Sequence, residues 1–355
     1  MRYALIGCGR IGPNHIFAAI ENKLEIVALC DIDLSRAHKL INDYHLDNVK
    51  VYDNYLEMLA KEKLEIVAIA SPSYLHAQMG LDCIERGINI IIEKPIALSI
   101  EDADLLILKA QEKGVYACAN YQNRFNKSVQ YIKKALDEGR FGKLLHGVTT
   151  TAWHRDEKYY LADSWRGKWD GDGGSLITQS IHGIDLLIWM FGEVSEVFSF
   201  VDNINHPYIE TDDLGLAVLK FKNGAYGVIQ GTSNVYKRDL EETLYVFGTK
   251  GTAKAGGRSD NIIEVWDIDD GIDNPKKVKE TFKEVPPNAY GVGHIPLYKD
   301  MINAIKQKKE PAIPLTEGKK SLEVILAMLE SAKNRCIVKL PLASGATKNY
   351  KGLLK

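Results

Sequence analysis

The segment Arg2-Tyr3-Ala4-Leu5-Ile6-Gly7-Cys8-Gly9-Arg10-Ile11-Gly12 decides how the first half of the chain folds. Five residues of strand character run into G-x-G-x-x-G, and an apolar helical pattern follows through Ile20. In that setting each glycine has its own task. Gly7 permits a tight turn, Gly9 lets backbone approach a pyrophosphate, and Gly12 allows a helix to lie close on a strand. Arg10 and Ile11 complete the turn, and the helix behind it points its first amide groups at an anion. The next strand pattern, Glu25-Ile26-Val27-Ala28-Leu29-Cys30, stops on Asp31, 19 residues after Gly12. A carboxylate there should meet the adenosine ribose hydroxyls of a bound dinucleotide. It would also repel a 2′-phosphate, so NAD is expected and NADP disfavoured. Arg36 could pair with such a phosphate, but reads more simply as part of a solvated helix face.

Working outward, strand and helix patterns alternate. Asp33 is placed to cap a helix through Tyr44, and Asp53 one over 54–60. The apolar strand 66–70 leads into Ser71-Pro72-Ser73-Tyr74-Leu75-His76, at the same sheet edge as the glycine turn, which puts Ser71 and His76 near the cofactor. A further apolar run, Ile90-Ile91-Ile92, ends on Glu93-Lys94-Pro95. In a parallel sheet that end is the carboxyl edge, where ligands bind. Proline cannot extend the ladder and fixes a turn, with a cis bond open to it, that aims Lys94. The plainer reading is an ordinary Glu-Lys pair at a surface strand end. Ser99 and Asp102 suggest a capping box, and 115–119 forms the sixth strand. Residues 1–120 thus read as a Rossmann domain of parallel strands and crossover helices.

Past residue 120 the pattern becomes a second, α+β domain over 121–355 with a largely antiparallel open sheet. Strands are expected at 144–151, 194–201, 214–221, 225–232, 243–247 and 262–268, with Asn223-Gly224 as a hairpin turn. Helices are expected at 126–138, 296–307 and 317–334, and a mobile surface loop at 269–279. Gly173-Gly174 precedes a helix over 175–191 in which Ile177, Ile181, Ile184, Ile188 and Phe191 form one apolar stripe. Thr178, His182, Asp185 and Trp189 form a second stripe beside it. Either His182 and Asp185 are hydrogen-bonded structural polars under a sheet, or His182 faces a substrate hydroxyl that Thr178 and Asp185 help to orient.

Composition narrows the function. A formal charge of −2, from 45 Lys+Arg against 47 Asp+Glu, supplies no basic field for nucleic acid or an anionic membrane. No apolar run approaches 18 residues, and five scattered cysteines without a CxxC pair favour reduced thiols, so a soluble cytoplasmic protein is expected. His182 with Asp185 lacks a third clustered ligand, so no metal site is expected. No G-x-S-x-G elbow supports a serine nucleophile.

The glycine turn, Glu93-Lys94-Pro95, and Gly173-Gly174 opening the helix of His182 together resemble the glucose-fructose oxidoreductase/inositol dehydrogenase (Gfo/Idh/MocA) family. The resemblance implies an NAD-dependent sugar dehydrogenase oxidising a ring secondary alcohol, with Lys94 and His182 catalytic. It also implies a homo-oligomer, dimer or tetramer, built on the open sheet. Four residues before the histidine the family often has Asp, and this chain has Thr178. A closer likeness runs through Gln122-Asn123-Arg124-Phe125-Asn126, Trp153-His154-Arg155, Tyr159-Tyr160, Trp165-Arg166-Gly167-Lys168-Trp169 and Tyr290-Gly291-Val292-Gly293-His294. It is similar to the branch of UDP-N-acetylglucosaminuronate 3-dehydrogenases, where the position of Thr178 is often Asn. It implies cofactor contacts at Glu93, Gln122, Trp165 and Arg166, and substrate contacts at Lys94, Arg155, Tyr159, Thr178, His182 and Asp185. An inositol or simple-sugar dehydrogenase is the alternative, and a non-catalytic NAD-binding sensor is the alternative from another class.

Overall fold

The computed structural model describes residues 1–283 and 291–354, so Tyr290 lies outside the described residues. The chain divides into two compact units, Met1–Tyr121 with Gly293–Lys319, and Gln122–Val292 with Lys320–Lys355. The segment Gly293–Lys319 is the part of this division that a single break near residue 120 does not anticipate.

The first unit is built on six parallel strands, β1 (Arg2–Ile6), β2 (Glu25–Cys30), β3 (Lys50–Tyr52), β4 (Ile66–Ile69), β5 (Asn89–Glu93) and β6 (Ala117–Asn120), in the order 3-2-1-4-5-6. The connecting helices are α1 (Gly12–Glu21), α2 (Leu34–Tyr44), α3 (Tyr55–Lys61), α4 (His76–Glu85) and α5 (Ile100–Lys113). Continuous apolar strands fit this place because helices cover both faces of such a sheet; every residue of β4 and Ile90–Ile92 of β5 are fully buried. Local sequence sets the ends. Asp33 accepts from the Ser35 amide, and Ser99 from the Asp102 amide at 3.1 Å. The cap of α3 is Asn54 and not Asp53, because Asn54 has the extended backbone that lets its side-chain carbonyl reach the Leu56 and Glu57 amides.

The second unit holds an eight-stranded sheet made of β7 (Leu144–Ala152), β8 (Val194–Asp202), β9 (Leu214–Phe221), β10 (Tyr226–Thr232), β11 (Glu241–Gly248), β12 (Gly251–Gly256), β13 (Ile262–Ile268) and β14 (Val338–Lys339). Their order is 13-12-11-7-10-9-8-14. All described pairings are antiparallel except that of β7 with β10. One face is covered by α8 (Ile181–Phe191); α6 (Lys127–Asp137) and α7 (Glu157–Leu161) precede it. Strict alternation in β8 to β10 leaves Phe198, Phe200, Leu216, Val218, Tyr226 and Val228 exposed on the other face. The stretch expected to be a mobile loop contains a helix, α9 (Pro275–Thr281), capped by Asn274 and anchored by buried Val278. Ahead of it, Asp270 is tied to Arg140 at 2.6 Å. Finally α10 (His294–Gln307) belongs to the first unit, and α11 (Leu315–Asn334) carries the chain from that unit into the second.

Candidate active site

Parallel alignment brings the loops after β1, β2, β4 and β5 to one edge of the first sheet, since Ile6 pairs beside Cys30 and Ile69, and Ile92 beside Ile69. Gly7 has φ +94°, and a Cβ there would stand 2.4 Å from the Ala70 carbonyl oxygen, so only glycine fits. At Gly9 a Cβ would meet nothing within 4 Å, so its backbone faces open space that a ligand can enter. At Gly12 the nearest atom would be Leu40 Cδ1, 3.2 Å away, which reflects close helix packing. Arg10 is exposed at the turn and Ile11 is half-buried at the helix entry. Asp31 is buried and accepts from the Cys8 amide at 2.7 Å and the Asp33 amide at 2.9 Å. A carboxylate has about four lone-pair sites, so two amides leave capacity for a ribose hydroxyl. This open backbone turn, with a carboxylate at the next strand end, fits the diphosphate and ribose of NAD.

Ser71 is half-buried at the same edge. His76 is fully enclosed, with Nε2 2.8 Å from the Ser71 carbonyl and Nδ1 2.7 Å from the Pro95 carbonyl. Burial pulls this imidazole below its ordinary pKa despite both carbonyls. His76 thus joins the two loops at this edge. The Lys94–Pro95 bond is cis, and Lys94 is half-buried. Glu93 turns its carboxylate inward, where it accepts from His15 Nε2 at 3.1 Å and from the Asn120 side-chain amide. Burial alone would raise this carboxyl, but His15 and His294 override that and hold it well below the usual carboxylate range. The His294 share is through-space, since its Nε2 lies 3.8 Å from Glu93 Oε1, beyond hydrogen-bond length. Glu93 Oε2 also accepts from the Lys94 amide at 3.2 Å, which sets this carboxylate behind the turn.

In the second unit Leu176–Ser180 winds as a π-turn before α8 begins. The wider turn changes the angular offset of Thr178 from His182, Asp185 and Trp189, which keep α-helical spacing. The Thr178 hydroxyl donates to the Gly174 carbonyl at 2.8 Å and accepts from Gln179 Nε2 at 3.2 Å. Gly174, with φ +106°, lies so near Asp212 that a Cβ would be 2.0 Å from Oδ1. His182 is 5% exposed at the start of α8. The next residue must be small, because a Cβ on Gly183 would be 2.3 Å from Thr149 Oγ1. Asp185 is held bidentately by Arg124 and receives the Ser321 hydroxyl at 3.1 Å. That buried pair holds Asp185 in place on the helix turn after His182. Gln122 lies buried in the 3₁₀ turn just before Arg124.

Gln179, which sequence reading passed over, gathers the remaining residues. It accepts from Arg155 Nε at 2.9 Å and donates to the Tyr159 hydroxyl at 2.9 Å. Arg166 Nη1 donates to that hydroxyl at 2.8 Å. The guanidinium carbons of Arg155 and Arg166 lie 5.2 and 4.5 Å from the Tyr159 ring centre, with Trp153 and Trp165 beyond them at 5.0 and 4.4 Å. The result is a half-buried column of alternating aromatic and cationic groups. Both arginines also hold carboxylates, Asp239 for Arg155 and Asp163 for Arg166, each at 2.8 Å.

A parallel 3-2-1-4-5-6 sheet with this turn, joined to a unit carrying a buried histidine at a helix start, defines a nicotinamide-dependent oxidoreductase. Residues 1–121 match the oxidoreductase family with an NAD-binding Rossmann fold, and residues 129–254 match the GFO/IDH/MocA C-terminal domain. The chain belongs to the Gfo/Idh/MocA family, and NAD is its cofactor. It is 32% identical to the WlbA dehydrogenase from Bordetella pertussis, solved with NADH and UDP-GlcNAcA, covering 96% of this chain and 98% of that one with a TM-score of 0.89. The WlbA dehydrogenase from Chromobacterium violaceum, with the same ligands, is also 32% identical, covering 96% of each chain with a TM-score of 0.86. The myo-inositol 2-dehydrogenase of Thermotoga maritima is 27% identical over 96% of this chain and 98% of its own.

Proposed function

We propose that this protein oxidises a ring secondary alcohol of a nucleotide-linked sugar acid, a UDP-N-acetylhexosaminuronate, to the ketone at C3. The observation that carries the reading is the 32% identity, over 96% of the chain, to dehydrogenases solved with UDP-GlcNAcA. The nicotinamide supplies the hydride acceptor. Lys94, aimed by the Pro95 turn, donates a hydrogen bond to the alcohol oxygen and stabilises its developing negative charge. His182 takes the hydroxyl proton as a neutral imidazole. Arg155 and Arg166, stacked on Tyr159, offer N–H donors to the acidic and diphosphate groups, while Thr178 offers a hydroxyl to the sugar. Trp165 and Gln122 keep the cofactor contacts assigned above.

Absorbance at 340 nm with NAD and a panel of UDP-N-acetylglucosaminuronate, myo-inositol and glucose tests the reading. Turnover of the UDP sugar far above the neutral polyols is expected. Equal turnover of inositol would replace the substrate by that of the inositol relatives, and NAD binding without any turnover would favour a sensor. We further propose that the protein acts in the cytoplasm as a homo-oligomer. Four buried free cysteines and one exposed fit a reducing compartment, and the apolar outer face of the sheet suits a second copy. Among the described residues no helix is long and apolar enough to cross a membrane.

A further inference from the structure

We propose that His15, Glu93 and His294 form a metal site, which takes a first-row divalent cation of the zinc type and pins the returning helix α10 to the parallel sheet. All three residues lie in the first unit, on α1, at the end of β5 and at the start of α10, and the site is independent of the substrate proposed above. They stand too far apart in sequence for the spacing of any zinc motif to reveal them.

One ligand atom from each residue lies within 4.8 Å of the other two. His15 Nε2 is 3.1 Å and His294 Nε2 3.8 Å from Glu93 Oε1. Ligands that each stand about 2.0–2.2 Å from a tetrahedral zinc ion stand roughly 3.3–3.6 Å from one another, so the two measured separations bracket that spacing. Imidazole nitrogen and carboxylate oxygen are both ordinary zinc donors, and all three side chains are buried. Asn120, fully buried beside them, donates its side-chain amide to Glu93 Oε1. Its own oxygen has no hydrogen-bond partner among the described residues, which puts a further oxygen at hand for a fourth place.

The surroundings orient the ligands. His15 Nδ1 stands 2.6 Å from the Tyr298 hydroxyl, which stands 2.9 Å from that of Tyr3. Donation from Nδ1–H to Tyr298, and from Tyr298 to Tyr3, leaves the His15 Nε2 lone pair for a cation. A plain hydrogen-bond chain runs the other way, with Tyr298 donating to Nδ1 and Nε2–H to Glu93, and satisfies the same contacts. The two readings part at His294. Its ring is 2% exposed, and among the described residues neither of its nitrogens has a hydrogen-bond partner. An imidazole buried with both nitrogens unpaired is costly. The hydrogen-bond chain gives no relief, because Nε2 stops 3.8 Å from the carboxylate oxygen, whereas a cation held between the two atoms uses that gap.

The test needs no substrate. Tag-free, full-length protein is expressed with zinc in the medium and dialysed against metal-free buffer. Its zinc content is then measured by plasma mass spectrometry, beside thermal unfolding with and without added zinc. The wild type is expected to hold one zinc per chain, and its Tm should fall when a chelator strips the ion and recover when zinc is returned. His294→Ala, which removes a ligand that makes no hydrogen bond among the described residues, should lose both the ion and the response to zinc. Tyr298→Phe keeps every ligand but not the hydroxyl behind His15, so it should bind zinc about 10–100-fold more weakly, and it serves if His294→Ala does not fold. A metal-free wild type whose Tm ignores added zinc would overturn the proposal and leave the hydrogen-bond chain as the task of His15 and Glu93. Zinc retained in full by His294→Ala, or bound equally well by Tyr298→Phe, would overturn it too by placing the ion elsewhere on the protein.

Discussion

Arg124 grips Asp185 through two parallel hydrogen bonds, Nε to Oδ2 at 2.7 Å and Nη2 to Oδ1 at 2.8 Å, with side chains only 3% and 1% exposed. Asp185 sits three residues after His182, so this fork fixes the helix turn that carries the proposed base. Removing one partner strands a buried charge. Arg124→Met is expected to cost about 3–5 kcal/mol in denaturant unfolding, and Arg124→Met with Asp185→Leu should recover much of that loss. Equal destabilisation by single and double variants would show that the pair is not the source.

Asp31 does two jobs in the structure, since its carboxylate braces the glycine turn through the Cys8 amide as well as standing where the ribose should lie. Asp31→Ala should therefore weaken NAD binding and, by removing repulsion of a 2′-phosphate, narrow the preference over NADP. Titration calorimetry with both cofactors checks this. Comparable wild-type affinities for the two would remove the premise.

His182→Asn keeps a polar side chain of similar reach and loses the exchangeable proton. Turnover is expected to fall by about 10²–10⁴-fold with little change in Tm. Wild-type kcat should rise from acid toward neutral pH, because only the neutral imidazole accepts a proton. A variant that stays within threefold of wild type would return His182 to a packing role.

Two carboxyls in the second unit are pushed up by burial, Asp172 to about 6 and Asp212 to about 7. Their folded values exceed the unfolded ones, so between about pH 4 and 7 the folded protein binds more protons and stability falls as pH rises. Asp212→Asn should flatten that fall when Tm is followed from pH 5 to 8. A Tm difference from wild type that does not change with pH would exclude Asp212 as the cause.

The outer sheet face sets Phe198 beside Val218 and Val218 beside Val228 in direct cross-strand register, with Phe200 68% exposed. Phe200→Glu with Val218→Asp should convert an oligomer to monomers in light scattering while leaving the circular dichroism of the fold intact. An unchanged mass would place the interface elsewhere.

Much of this was legible in the sequence where the information is local. The glycine turn, Asp31 and the Asn223-Gly224 hairpin depend on backbone and charge requirements that neighbouring residues state openly, and β9 and β13 keep their expected bounds residue for residue. Other features escaped because their causes are distant. The strand β12, Gly-Thr-Ala-Lys-Ala-Gly, has no large apolar residue to mark it, and β14 is two residues that pair only because β8 is there. The π-turn before α8 leaves the apolar pattern nearly unchanged, so it has no local signature. His15, three residues after Gly12, and His294 with Tyr298, one helical turn apart, were visible as residues. Nothing nearby says that they converge on Glu93.

The return of Gly293–Lys319 to the first unit ties that unit to the order of synthesis. On a ribosome β1 to β6 emerge early, yet Tyr3 and His15 have no Tyr298 to meet, and the bond from the Ala119 amide to the Ile313 carbonyl cannot form. All of Gln122–Val292 is made in between. The nucleotide-binding unit of this protein is therefore finished only after Gln122–Val292 has been made, although its signature sequence precedes that stretch.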